Sequence, residues 1–146
     1  MVDEQNAYLK TQVLTARPEQ LTLMLFDGAV RFGDKARTSL KEKDYEASFD
    51  ALSRAEQIVM ELLTSLRPEG APDICRRQAG LYLFVYSKLV DANMTHEPAA
   101  LDDALRVLAV LRETWIMLMA KQQENPDEAA TSPAQTPSSA GVSIKG

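Results

Sequence analysis

The side chains with the most reactive chemistry in this chain are one cysteine, Cys75, and one histidine, His96. A thiolate beside an imidazole could act as a nucleophile with its base. The spacing argues against that pairing, because about 20 residues of helix between the two groups would hold them roughly 30 Å apart. Cys75 instead falls on the apolar stripe of its predicted helix, as a small core residue would. A Cys–His catalytic pair is not expected.

His96 leaves a second chemistry open, which is phosphoryl transfer. Histidine phosphotransfer domains are four-helix bundles with one exposed, phosphorylatable histidine in the middle of a helix. His96 lies instead in the turn Thr95-His96-Glu97-Pro98, with a carboxylate beside it. A plain surface histidine is the simpler interpretation, and phosphotransfer through His96 is kept as an alternative function.

Metal and cofactor chemistry have no support in the sequence. Di-iron centres in bundles need Glu-x-x-His pairs on two helices, and structural zinc sites need several Cys or His ligands. This chain has one residue of each type. A glycine-rich phosphate loop is also missing, and the carboxylates are scattered. We therefore expect no enzyme activity, no catalytic residue, no metal and no cofactor.

The bulk composition is that of one globular domain. The chain has 146 residues, of which 45% are hydrophobic and 25% charged, so a true core is expected. The formal net charge of −5 argues against a nucleic-acid partner. No apolar run is long enough to insert into a membrane, and the first residues lack a secretory signal. A single cysteine fits a reducing compartment, so the expected location is the cytoplasm.

The apolar periodicity predicts an all-α fold, an antiparallel four-helix bundle. The long helices are expected to start near Pro18, Asp44, Asp73 and Pro98; proline marks the start at Pro18 and Pro98, and Asp44 is a candidate capping residue. A short helix or strap precedes them, and a tail rich in Pro, Ser, Thr, Ala and Gly follows. We expect that tail to be disordered. The expected organisation is a strap over residues 1–16, a bundle over 17–124 and a tail over 125–146.

The first long helix carries apolar residues on two opposite faces. One stripe is the expected core face, formed by Leu21, Met24, Leu25, Ala29, Phe32, Ala36 and Leu40. Leu23, Phe26 and Val30 fall roughly opposite. Gly28 lies on the core stripe, where the close approach of a neighbouring helix would explain it. Because large exposed apolar patches usually mark binding sites, the second stripe indicates a surface that something else covers.

The later helices show the same surplus. The third segment has one apolar face, composed of Tyr45, Phe49, Leu52, Ala55, Val59, Leu62, Leu63 and Leu66. In the fourth segment Phe84 points away from the core stripe, among polar residues. In the last, Val107, Val110 and Met117 form a second face. These side chains extend the predicted interaction surface, which could otherwise pack into a homodimer.

Several motifs, taken in order, resemble one known family. The run from Arg17 to Phe32, RPEQLTLMLFDGAVRF, is similar to the first long helix of the flagellar secretion chaperone FliS family, which typically shows Pro-Glu-x-Leu and then Met-Leu-Tyr-Asp-Gly-Ala. Further matches are Asn6-Ala7-Tyr8, Gln12 to Ala16, Leu52-Ser53-Arg54-Ala55, Leu62 to Leu66, Leu81-Tyr82, Leu89 to Asn93 and Leu111 to Trp115. The similarity spans residues 6–120. Phe26 departs from the pattern, because the family usually has tyrosine there.

The resemblance implies a cytoplasmic chaperone without catalysis. Such a protein binds the C-terminal segment of flagellin, prevents its premature polymerisation and delivers it to the flagellar type III export apparatus. A disordered client would fold into a groove on the bundle, and the strap could occupy part of that surface when no client is bound. A homodimer without client is the remaining expectation. The candidate client-binding residues are Tyr8, Leu9, Val13, Leu23, Phe26, Val30, Phe84, Asn93, Val107, Val110 and Met117.

Overall fold

A computed structural model of the chain describes residues 2–124, and the side chains in that range except those of residues 2–5, 12 and 13. This part of the chain forms five helices and no strand. They are α1 (Val2–Thr15), α2 (Pro18–Lys41), α3 (Tyr45–Thr64), α4 (Pro72–Thr95) and α5 (Pro98–Glu124). The expected tail over residues 125–146 lies outside the described residues.

The helices begin where local chemistry favours a start. Proline is the first residue of α2, α4 and α5, a position at which its missing N–H costs nothing. At the start of α3, the Asp44 carboxylate accepts a hydrogen bond of 3.2 Å from the backbone N–H of Ala47. That bond satisfies one of the free N–H groups at a helix start. The predicted starts near Pro18, Asp44, Asp73 and Pro98 are confirmed.

The four long helices form the bundle predicted from the sequence. Each packs on the next along the chain, and α2 closes the ring against α5. The core holds aliphatic and aromatic side chains from all four helices. Thr22, Ser48 and Ser65 are buried among them, and their hydroxyls donate to backbone carbonyls three or four residues earlier. No buried hydroxyl of these three therefore lacks a partner.

Two glycines let neighbouring helices approach α2 closely. A Cβ atom at Gly28 would lie 3.2 Å from Cδ1 of Ile58 in α3, as the sequence pattern indicated. A Cβ atom at Gly33 would lie 2.5 Å from Cδ2 of Leu105 in α5. Glycine at these positions therefore sets the distance between α2 and both helices that flank it.

The predicted exposure of Phe26 is wrong. Its side chain is 0% exposed, and its ring centroid lies 6.3 Å from that of Tyr82 in α4. In a ring of four helices, α2 meets α3 and α5 on its flanks and faces α4 across the core. Its buried arc is therefore wider than the single stripe inferred from the periodicity, and it includes Phe26.

The predicted core face of α3 is too long at its first turns. Leu52, Ala55, Val59 and Leu62 are buried as expected, whereas Tyr45 is substantially exposed and Phe49 is 62% exposed. The helical period continues past the point at which the neighbouring helices stop covering it. The start of α3 therefore presents two aromatic side chains to solvent.

Candidate interaction surface

The reactive side chains are not arranged for catalysis. Cys75 is buried in the first turn of α4, and its thiol donates a hydrogen bond of 2.9 Å to the carbonyl of Arg67. His96 ends the same helix with φ near 60° and is exposed, with its ring stacked on Tyr45 at 4.0 Å. The two groups are therefore at opposite ends of α4.

Two kinds of feature are absent from the part of the chain that the structure describes. Between residues 2 and 124, no three His, Cys, Asp or Glu side chains are grouped so as to hold a metal ion. None of the described helices combines the length and apolar character needed to cross a membrane.

The largest surplus of apolar surface among the predicted residues lies along the outer seam of α4 and α5. Lys88 and Asp103 pair across this seam at 3.7 Å and fix the antiparallel register. One turn further along each helix come Phe84 on α4 and Val107 on α5, which therefore lie at the same level. We call this region the α4–α5 surface; its members are Leu81, Phe84, Val107, Val110 and Met117.

Most of the α4–α5 surface is open to solvent. Phe84 is 41% exposed, Val110 62% and Met117 63%. Val107, Val110 and Met117 follow a helical spacing of three and seven residues, so they share one face of α5 over about 15 Å. The ammonium of Lys88 lies 5.6 Å from the Phe84 ring centroid. The arrangement is an apolar strip with a charged pair at one end, and an apolar strip is the kind of surface to which the apolar face of an amphipathic helix binds.

The seam between α2 and α5 is bridged by two ion pairs. Arg112 pairs with Asp27, and Arg37 pairs with Asp102 at 2.7 Å. Leu23 and Val30 lie one turn on either side of Asp27, and both are half-buried against the core. They can contribute an edge to a binding site, but they expose less apolar surface than the residues on α4 and α5.

A cleft of about 590 Å³ lies at one end of the α2–α5 seam. Its lining residues are Arg37, Lys41, Pro98, Asp102, Leu105 and Arg106. The Asp102 carboxylate accepts two hydrogen bonds from the Arg37 guanidinium there, at 2.7 and 2.9 Å. Because its charges are largely paired, the cleft offers no convergent set of groups for catalysis.

Asn93 is not on the α4–α5 surface. Its side chain faces α3 and is hydrogen-bonded to Glu56. Burial raises the pKa of the Glu56 carboxyl above its ordinary value of 4.5, and the hydrogen bond from Asn93 lowers it in part. Asn93 therefore joins two bundle helices, and its role as a client-binding residue stays a prediction.

The residues predicted on the strap lie on α1. Tyr8 is exposed and Leu9 is half-buried, while the side chain of Val13 lies outside the described ones. Within the described residues, α1 does not share an extensive interface with any helix of the bundle. The structure thus separates the predicted set into five places: the strap, the seam between α2 and α5, the core, the contact of Asn93 with α3, and the α4–α5 surface.

Sequence reasoning missed exposed side chains on the other flank of α4. Leu83, Met60 and Met94 are exposed, as are Tyr45 and Phe49. One signal could have found them. The apolar residues of α4 from Leu81 to Val90 are spread over nearly the whole circumference, which a helix with only one buried face does not need.

Comparison with known proteins agrees with this architecture. The family model described as "Flagellar protein FliS" matches residues 1–123. The flagellar secretion chaperone FliS of Salmonella typhimurium is 31% identical over 114 residues, covering 77% of this chain and 84% of the relative. That of Bacillus subtilis is 29% identical over 109 residues, covering 75% and 80%.

A solved structure shares the fold. The crystal structure of a flagellar chaperone from bacteria superposes with a TM-score of 0.67 at 19% identity, covering 81% of this chain and 98% of that one. The family match extends over α1 and all four bundle helices, and the resemblance inferred from the motifs is confirmed. This chain belongs to the flagellar protein FliS family.

Proposed function

We propose that this protein is a cytoplasmic export chaperone for flagellin. It binds the C-terminal segment of flagellin as a helix on the α4–α5 surface, prevents premature polymerisation and hands the client to the flagellar type III export apparatus. The observation that carries the proposal is the exposed strip of Leu81, Phe84, Val110 and Met117 beside a complete core.

The physical support is that the strip is not needed for folding. The core of the four-helix bundle is already formed by buried residues from each of its helices. Leaving Phe84, Val110 and Met117 in water forgoes roughly 25 cal/mol for each Å² of apolar surface that could be covered. A client helix with apolar residues at three- and four-residue spacing would recover that free energy, and it would offset the entropy of ordering the client.

Chaperone action follows from the same contact. A flagellin segment whose apolar face is held against the bundle cannot pair with another flagellin through that face. Because the contact is an exposed strip and not a buried pocket, the client can also leave without unfolding the bundle. This combination suits a carrier that must release its client for export.

The test is binding of a peptide from the C-terminal segment of flagellin, measured by isothermal titration calorimetry. Val110→Asp places a charge in the strip and should weaken binding at least tenfold, about 1.4 kcal/mol. Phe49→Asp is the matched control, because Phe49 has the same exposed fraction of 62% but lies on α3. Equal affinity for wild type and Val110→Asp, with both proteins folded by circular dichroism, would reject the proposed site.

A further inference from the structure

A second apolar surface lies on the opposite flank of α4, where α4 meets α3. We call it the α3–α4 surface; its exposed members are Tyr45, Phe49 and Met60 on α3 and Leu83 and Met94 on α4. Leu83 and Phe84 are neighbours in sequence, so their side chains diverge by about 100° around the helix axis. Phe84 therefore lies on the α4–α5 surface, and Leu83 lies on the α3–α4 surface.

Two contacts join the antiparallel helices α3 and α4 here. The ring of Tyr45 stacks on that of His96 at 4.0 Å, and Glu56 is hydrogen-bonded to Asn93. In this antiparallel register Phe49 lies toward the end that carries Met94, and Met60 lies toward Leu83. From Phe49 to Met60 the surface is about 16 Å long, which matches three turns of a helix.

The charge on the α3 side of this surface is mainly negative, and on α4 the exposed Arg76, which lies on the face of Leu83, pairs with Asp73 at 3.7 Å. α3 carries four carboxylates, Glu46, Asp50, Glu56 and Glu61, and one cation, Arg54. Arg54 is already engaged, because it pairs with Asp50 at 3.5 Å and lies 5.6 Å from the Phe32 ring centroid on the α2 side. The α3 edge of the apolar strip is therefore acidic, whereas the α4–α5 surface has a balanced Lys88–Asp103 pair.

We infer that the α3–α4 surface is a docking site for a basic amphipathic helix of another protein, distinct from the site proposed for flagellin. Apolar residues of that helix would cover Phe49, Met60 and Leu83. Its lysines or arginines would face the carboxylates of α3 and could stack on the exposed aromatic rings. The inference does not depend on the proposed function.

Neither segment of this chain outside the four-helix bundle has the required charge. α1 contains two acidic residues and one lysine, and residues 125–146 contain Asp127, Glu128 and Lys145. A second copy carries the same net charge of −5. A symmetric dimer through this face would also bring two acidic α3 helices together, which is repulsive. The charge balance thus selects a basic partner.

The experiment uses the full chain and two designed peptides of about 15 residues. Both peptides place leucines on one helical face; the other positions are lysine in one peptide and glutamate in the other. Calorimetry gives the affinities, and amide chemical shifts map the contacts. We expect the lysine peptide to bind, to shift amides of α3 and of α4 from Leu83 to Met94, and to weaken as salt is raised. The glutamate peptide should not bind.

Two variants locate the site. Phe49→Ser should weaken binding of the lysine peptide at least fivefold. The double variant Glu46→Gln with Asp50→Asn should weaken it by a similar factor, although it changes no apolar residue. Val110→Ser is the matched control and should leave this affinity unchanged. Flagellin peptide binding, measured on the same preparations, should be retained by Phe49→Ser, so failure of one site is distinguishable from failure of the other.

Three results would overturn the inference. One is equal affinity for the lysine and glutamate peptides. A second is an affinity for the lysine peptide that neither variant lowers, or chemical-shift changes on peptide binding that fall on α5 and not on α3 and α4. The third is a homodimer, detected by sedimentation, that Phe49→Ser dissociates, because this would assign the face to a second copy.

Discussion

The side chain of Phe26 fills the space between α2 and α4, against Tyr82. Replacing it with alanine removes a fully buried ring, and we expect Phe26→Ala to lower the free energy of unfolding by about 3–5 kcal/mol. Urea denaturation followed by circular dichroism measures this. Val110→Ala, on the exposed strip, should change stability by less than about 0.5 kcal/mol. A loss below about 1 kcal/mol for Phe26→Ala would contradict the packing described for α2.

Glu56 makes the stability of the bundle depend on pH. Because burial raises the pKa of its carboxyl above 4.5, the folded chain binds this proton more tightly than the unfolded chain does. The contribution of Glu56 to stability is therefore fully present below pH 4.5 and is lost as the pH rises through the folded-state pKa. Glu56→Gln should be more stable than wild type at neutral pH, and this difference should shrink as the pH is lowered through the folded-state pKa to 4.5 and stay constant below that.

Urea midpoints of wild type and Glu56→Gln across this pH range test the prediction. Taking the difference between the two proteins cancels the titration of the other carboxylates. A stability difference that does not change with pH, or a less stable Glu56→Gln at neutral pH, would contradict it.

At the scale of the helices, two glycines should respond to alanine in opposite ways. Gly33 faces Leu105, which is buried and only 2.5 Å from an added Cβ atom, so Gly33→Ala should destabilise the bundle by about 1–3 kcal/mol. Gly80 lies on the exposed side of α4 with nothing within 4 Å of an added Cβ atom. Gly80→Ala should stabilise it by about 0.5–1 kcal/mol. Thermal melts measure the stability of both variants. A change in melting temperature of the same sign for Gly33→Ala and Gly80→Ala would contradict the packing described here.

The helix α1 should be the least protected of the five. Its described side chains are mostly exposed, and helices held by few tertiary contacts open locally at low cost. Amides of residues 2–15 should therefore exchange hydrogen faster than those of the four bundle helices. Binding of the flagellin peptide should change this rate if α1 and the client share surface. If the amides of α1 were as well protected as those of α2, α1 would not be the least protected helix. If the exchange rate of α1 did not change when the peptide binds, α1 and the client would not share surface.

The helices could be predicted from the sequence because their signals are local. Proline at a first position and an aspartate before a helix act within one turn, and the helical period of apolar residues needs no knowledge of the neighbours. Which flank stays open does need that knowledge. Phe26 and Phe84 both lie off the main stripe of their helices, yet Tyr82 covers the first and solvent meets the second. The candidate site was thus located only in part.

For the whole molecule, the closing contact of the ring has a consequence for the order of folding. The indole N–H of Trp115, the single tryptophan, donates to the carbonyl of Glu19, 96 residues away. The other interfaces join helices that follow one another along the chain. Closing a long loop costs more entropy than closing a short one, so contacts between α2 and α5 should form after the transition state.

Kinetics can separate the two kinds of interface. Leu105→Ala, at the α2–α5 closure, should mainly accelerate unfolding, whereas Leu52→Ala, in the middle of the chain's sequential contacts, should mainly slow refolding. Stopped-flow fluorescence of Trp115 follows both. Comparable slowing of refolding by the two variants would show that ring closure occurs early. Late closure would instead give a chain emerging from the ribosome a sequentially assembled bundle that lacks only its last seam.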